Sequence, residues 1–286
     1  MKKLNVFVSL LLILFLSAAF NSKAQQIRTP SPSPTSKVTQ TIGLTDFTIT
    51  YSRPGVKDRV IMGNIVAYGE MWRTGANAST RFEISDDITV EGKPLKAGAY
   101  SLFTIPNENE WTIIFNSNVQ AGIGNYNESE DALRVNVKPV KLPVKVETFL
   151  IDINDIRNES ATLNLIWENT LVSAKIGVDI DSRVMADIKR AMDPVADAGK
   201  YYAAANYYYN SGKDLKQALE WVNKSMELDG SRYWVAQLKA SILGKLGSYK
   251  EAITTAETAK ELATKAGNND AVRANEASIA EWKKMK

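Results

Sequence analysis

The chain has no cysteine and no histidine in 286 residues. The first absence excludes disulfides, thiol nucleophiles, iron–sulfur centres, cysteine-bound zinc and a lipid anchor on cysteine. The second excludes Ser-His-Asp triads, imidazole acid–base catalysis and histidine metal sites. Mechanisms built on carboxylate, Lys, Tyr, Ser or Arg remain open. Net positive charge is also scarcer than the formal +3 suggests. Lys2, Lys3 and Lys23 are the charged residues of positions 1–24, and without them 32 basic residues face 32 acidic ones. Nucleic-acid binding needs a basic surplus, so no nucleic-acid partner is expected. No apolar run after Phe20 approaches the ~20 residues of a membrane span, so no transmembrane segment is expected in the mature chain. The sequence calls for neither a cofactor nor a metal.

What is present begins with an export signal. Lys2 and Lys3 precede an apolar run from Val6 to Phe20, and Ser22-Lys23-Ala24 puts small residues three and one before a cut. Charged head, apolar middle and small-residue exit make a secretory signal peptide over 1–24. The expected product starts at Gln25 and is a soluble periplasmic or secreted protein. Residues 25–37, with Pro30, Pro32 and Pro34 among Ser and Thr, read as an extended linker.

From 38 to 181 the pattern is period two or short β-branched runs. Candidate strands cover 47–51, 81–84, 88–90, 100–105, 111–115, 133–137, 146–153, 161–167 and 172–180. Glu91 to Pro94 reads as a turn. Strands without intervening helices predict an antiparallel β-sandwich or barrel-like domain. From 182 to 286 the period is 3.6, giving helices over 182–192, 194–211, 214–228, 232–246, 249–266 and 270–284. Asp193-Pro194 is read as a helix start. Asp214 to Gln217 and Ser248 to Glu251 have capping-box spacing. The fold class is therefore mixed, β then α.

Two resemblances follow. Ala218 and Ala252 stand 34 residues apart, the tetratricopeptide period, so the helical half resembles a degenerate tetratricopeptide array that would bind a protein or peptide. The strings Tyr51-Ser-Arg-Pro-Gly55, Tyr68-Gly-Glu-Met-Trp-Arg-Thr-Gly-Ala-Asn77, Ala97 to Pro106 and Glu110 to Asn116 resemble a family of exported bacterial proteins, domain of unknown function 2911, over about 36–180. That resemblance brings no activity and no site residues with it.

Read by their chemistry, Tyr51, Arg53, Arg59, Glu70, Trp72, Arg73 and Asn77 are candidate ligand-binding residues. Planar guanidinium forks suit small anions, and the rings suit a sugar. The competing reading is architectural. In it the arginines cap carbonyls or pair with Glu70 and Asp58, Asn77 takes a left-handed turn, and Trp72 and Trp111 belong to the core. Tyr201, Tyr202, Tyr208 and Tyr209 are candidate partner-binding residues lining a helical groove. Glu128, Glu130 and Asp131 read as solvated loop charges. The leading expectation is a non-enzymatic envelope protein that binds or scaffolds. The alternatives are an enzyme acting on an envelope glycan or anionic substrate through Arg, Tyr and carboxylate, and a purely structural assembly module.

Overall fold

The computed structural model describes residues 29–192 and 197–285. The expected signal peptide, Asp193 and Pro194 lie outside the described residues. The chain divides after Val178 into two compact units.

The first unit holds ten strands: β1 (Thr35–Ile42), β2 (Thr45–Ser52), β3 (Thr80–Ile84), β4 (Ile88–Val90), β5 (Lys93–Leu95), β6 (Gly98–Ile105), β7 (Trp111–Asn116), β8 (Asp131–Val137), β9 (Pro139–Asn154) and β10 (Ser160–Val178). Every ladder is antiparallel. One sheet has the order β1-β2-β3-β6-β7-β8 and the other β5-β4-β10-β9. Alternation places Phe47, Ile49 and Tyr51 of β2 inward, where register sets Phe47 opposite Ile84 and Ile49 opposite Phe82. Period-two burial on a pleated strand is the cause of this layout. Rings fill the space between the sheets. Tyr51 meets Phe149 edge-on at 5.8 Å, Phe82 meets Phe115 at 5.1 Å, and Trp72 stacks on Trp167 at 5.8 Å.

Three strand expectations need correction. The linker is shorter than 25–37, because Thr35, Ser36 and Lys37 already pair with Ser52, Tyr51 and Thr50. Lys93–Leu95 is a short strand rather than part of a turn. Residues 161–167 and 172–180 are one strand, β10. Its pairing with β9 shifts register on both sides of Glu168, whose φ is 52°. A bulge of this kind inserts residues without ending the ladder, so the polar interval Glu168-Asn169-Thr170 reads as a loop in sequence and is not one.

The second unit holds six helices among the described residues: α1 (Asp181–Ala191), α2 (Ala198–Asn210), α3 (Leu215–Leu228), α4 (Tyr233–Lys245), α5 (Tyr249–Lys265) and α6 (Asn269–Met285). Asp214 caps α3, its Oδ1 accepting from the Lys216 and Gln217 amides at 2.8 and 3.3 Å. Asp197 caps α2 through the Lys200 amide at 2.9 Å. Ser248 makes no side-chain cap. Gly247, at φ 78°, lets the chain turn from α4 into α5 in the left-handed region open to glycine. The interior is lined by alanine: Ala205, Ala218, Ala236, Ala252, Ala256 and Ala259 are fully buried. Ala218 and Ala252, the pair 34 residues apart, sit in the two neighbouring clusters of this core. Gly244 belongs to the same economy of size. A Cβ there would lie 2.6 Å from the Trp282 indole, so α4 and α6 touch only because position 244 has no side chain. No described helix is long and apolar enough to cross a membrane.

Candidate functional site

The seven candidate residues of the β unit separate into three places. Tyr51 and Arg53 lie at the free edge of β9. A central strand has its backbone groups paired on both sides, whereas an edge strand leaves one row open. Here residues 51–56 close the 147–151 stretch of that row. The Tyr51 hydroxyl donates to the Ile151 carbonyl at 3.1 Å and accepts from the Ile151 amide at 2.9 Å. The Phe149 amide donates to the Pro54 carbonyl at 2.9 Å, and the Val56 amide to the Glu147 carbonyl at 2.7 Å. Arg53 Nε donates to the Phe149 carbonyl at 2.9 Å. The Tyr-Ser-Arg-Pro-Gly string therefore seals a sheet edge. Tyr51 is buried, so the structure removes it from any ligand surface.

Arg59 closes its own loop. Its Nε donates to the Val56 carbonyl at 3.0 Å and its Nη2 to the Gly55 carbonyl at 2.7 Å. Glu70 is exposed and forms no ion pair with Arg53 or Arg73, so the pairing expected in the architectural reading is absent there.

The third place is the turn 72–77. Trp72 exchanges backbone hydrogen bonds with Thr104 of β6 at 2.7 and 2.9 Å. Its indole Nε1 donates to the Gly75 carbonyl at 3.0 Å, and its ring packs among Trp111, Phe149 and Trp167. Its ring therefore packs in the core while part of the residue stays exposed. Asn77 has φ 61°, the left-handed conformation anticipated for it, and its Nδ2 donates to Ser33 O at 3.3 Å and Ser52 Oγ at 3.2 Å. Arg73 Nη1 donates to the Asn77 carbonyl at 2.7 Å.

Arg73 and Asn77 also line a hollow of about 350 Å³, together with Ala78, Ser79 and the segment 119–124. This volume is at the lower end of the range for small-molecule sites. Arg73 is the one charged residue of the lining, and it takes part in no ion pair among the described residues. The Ser79 hydroxyl oxygen is buried without a hydrogen-bond partner. Ser79 and Gln120 escaped sequence reasoning. The signal that could have drawn attention to the 119–124 wall is the Gly122-Ile-Gly124 run.

The far wall of the hollow is held by a polar clasp. Asn118 Oδ1 accepts from the Gln120 amide at 3.0 Å, and Asn125 Oδ1 from the Gly122 amide at 2.7 Å. Behind them Tyr126 Oη donates to Asp131 Oδ2 at 2.6 Å. Arg134 donates to the same Oδ2 through Nε and to Tyr126 Oη through Nη2, both at 2.6 Å. Asn116 Nδ2 reaches Asp131 Oδ1 at 2.8 Å. The Asp131 side chain is only 6% exposed, so it is a buried network member and not the solvated loop charge expected. Burial, reinforced by the bond to Asp131, pushes the Tyr126 hydroxyl up to about 12. Among the described residues no group of acidic side chains is arranged to hold a metal ion.

In the helical unit, Tyr202, Tyr208 and Tyr209 pack against the core of Ala205, Val222 and Val235. Tyr208 meets Trp221 edge-on at 4.7 Å, and Lys245 Nζ lies 3.9 Å from the Tyr209 ring centre. Tyr201, like the other three, is half-buried. Tyr202, Tyr208 and Tyr209 thus help to build the unit, while all four tyrosines keep part of their surface exposed.

A family profile described as "Protein of unknown function (DUF2911)" matches residues 33–176. The match takes in the edge seal, the 72–77 turn and both walls of the hollow. No curated protein and no solved structure matches the chain. With just over half of its 286 residues matched, the chain belongs to this family, whose description carries no activity.

Proposed function

We propose that the protein is an exported, non-enzymatic binding or scaffolding protein of a bacterial envelope, acting in the periplasm or outside the cell. Its β unit takes a small anionic or carbohydrate ligand at the Arg73 hollow. Its helical unit is a tetratricopeptide-like array that holds a protein or peptide. The observation that carries this reading is the contrast among the arginines. Arg53 and Arg59 donate to backbone carbonyls of the edge seal and its loop, while Arg73 keeps most of its donors beside a hollow whose lining holds no carboxylate. A binding site needs an unpaired recognition group. General acid–base work needs a titratable partner in reach, and the lining supplies none. Support for the tetratricopeptide part is the 34-residue spacing of two fully buried alanines in α3 and α5. Support for export is the charged, apolar and small-residue succession of 1–24.

The test has two readings from one preparation. The full chain is expressed in a Gram-negative host, and the envelope fraction is analysed by N-terminal sequencing. The expected mature terminus is Gln25. A chain that stays in the cytoplasm with Met1 to Ala24 intact overturns the export claim. The purified mature protein is then screened by thermal shift against envelope glycans and small anions. Stabilisation without turnover of the ligand is the expected outcome, and chemical conversion of a ligand restores the enzyme alternative.

A further inference from the structure

We propose that the Arg73 hollow is a site for a small organic carboxylate carrying an apolar or hydroxylated substituent. The inference rests on reading the β unit as a binding module and names the ligand class. Four features carry it. Arg73 offers a planar fork of donors with one Nη occupied, and a guanidinium matches a carboxylate in two parallel hydrogen bonds. No second cation lines the hollow, so a single negative charge is balanced and a phosphate dianion is not. Ser79 lines the hollow with its hydroxyl oxygen buried and unpartnered, so it becomes a donor to a ligand only by rotating toward the hollow. Around these polar groups stand Ala78, Val119 and Ile123. Their aliphatic surface suits a short hydrocarbon or the face of a sugar, and Gln120 adds an amide at the rim.

The wall opposite the arginine is preorganised. The amides of Gln120 and Gly122 are already taken up by asparagine side chains, and the Ala121 side chain is buried with Phe103 and Ile114. The segment therefore keeps its shape without a ligand, and affinity is not reduced by ordering it.

The experiment is isothermal titration of the mature full chain, at constant ionic strength, with three probes. These are N-acetyl-alanine, glucuronate and inorganic phosphate, with N-acetyl-alanine amide as the uncharged control. Binding of N-acetyl-alanine or glucuronate, with a loss of at least ten-fold for the amide, supports the site. Which of the two binds tells an acylated amino acid from a sugar acid. Arg73→Gln is expected to abolish the signal. Because Arg73 also braces the turn, a second variant is needed. Gly124→Leu adds bulk at a lining position where a Cβ meets nothing within 4 Å, so the fold accommodates it. It should abolish binding with the melting temperature within a few degrees of the parent, and Ser79→Ala should weaken binding several-fold. Equal binding of phosphate and carboxylates, binding that survives Gly124→Leu, or no binding of either carboxylate overturns the assignment. A non-carboxylate ligand found in the thermal screen would overturn it while leaving the broader binding reading intact.

Discussion

Large rings fill the core of the β unit, whereas small alanines line much of the core of the helical unit. Five phenylalanines of the first unit are fully buried, whereas the second buries alanine after alanine. Geometry explains the difference. Stacked sheets stand ~10 Å apart and need long side chains to fill the gap, while helices approach to ~8–10 Å, and closest where side chains are small. The lesson is that the same word, core, describes opposite tolerances. One unit should suffer most from truncation and the other from enlargement.

The largest expected effect comes from truncating a ring. Phe149 touches Tyr51, Trp72 and Trp167, and Phe149→Ala should cost ~3–5 kcal/mol. Hydrogen-exchange mass spectrometry should show the loss in the β unit and unchanged protection in 198–285. A loss spread evenly over both units would break the comparison. Next comes the edge seal. Arg53→Ala removes a charged donor from the Phe149 carbonyl and should cost ~1.5–3 kcal/mol, read as a lower denaturant midpoint with fast exchange along β9. An unchanged midpoint would return Arg53 to the pool of ligand-binding candidates.

Enlargement is the converse test. Glycine to alanine within a helix ordinarily stabilises by ~0.5–1 kcal/mol. Gly244→Ala should instead destabilise the helical unit by ~1–3 kcal/mol through overpacking on Trp282, and adding Trp282→Leu should relieve it. A stabilised single variant would show that α4 and α6 can part without cost. The smallest effect is spectroscopic. The Tyr126 hydroxyl is raised in the folded chain, so its contribution to stability is complete below pH ~10, the ordinary tyrosine value. It is lost as pH rises toward the folded value of about 12. Absorbance titration at 295 nm should show a late-titrating component that Tyr126→Phe reduces, beside the smaller upward shifts of Tyr68, Tyr100 and Tyr202. A difference spectrum already complete near pH 10 would contradict the clasp.

The strands and helices were legible because burial on a pleat or a helix leaves a period in the sequence. Phe47-Thr-Ile49-Thr-Tyr51 gave β2 almost to its ends, and the capping aspartate at 214 marked α3 within a residue. Unpatterned features were hidden. The bulge at Glu168 looks like a loop because a left-handed glutamate carries no sequence mark. Lys93–Leu95 looks like a turn because a three-residue strand is too short to show alternation. The site was legible only in part. A guanidinium has the same chemistry whether it meets a carbonyl or an open hollow, and the choice is made by residues about 90 positions away in β9 or 45 away in 119–124. That is why Arg53 and Arg73, alike in their turns, part company in space. The buried Asp131 was hidden for a related reason: its partners Tyr126 and Arg134 are near in sequence, but it also accepts from Asn116 on the neighbouring strand.

Stacking of Trp72 on Trp167, with Trp111 edge-on, has an optical consequence. Transition dipoles 5.8 and 6.3 Å apart couple as excitons, so the β unit should give a split near-ultraviolet dichroic band and exchange excitation among its three indoles. Trp72 is hydrogen-bonded within the turn that carries Arg73. Any guest that shifts that turn changes the splitting, and the chain thus carries its own label on the turn that holds Arg73. The indoles of Trp221, Trp234 and Trp282 in the other unit supply a background against which that change is read.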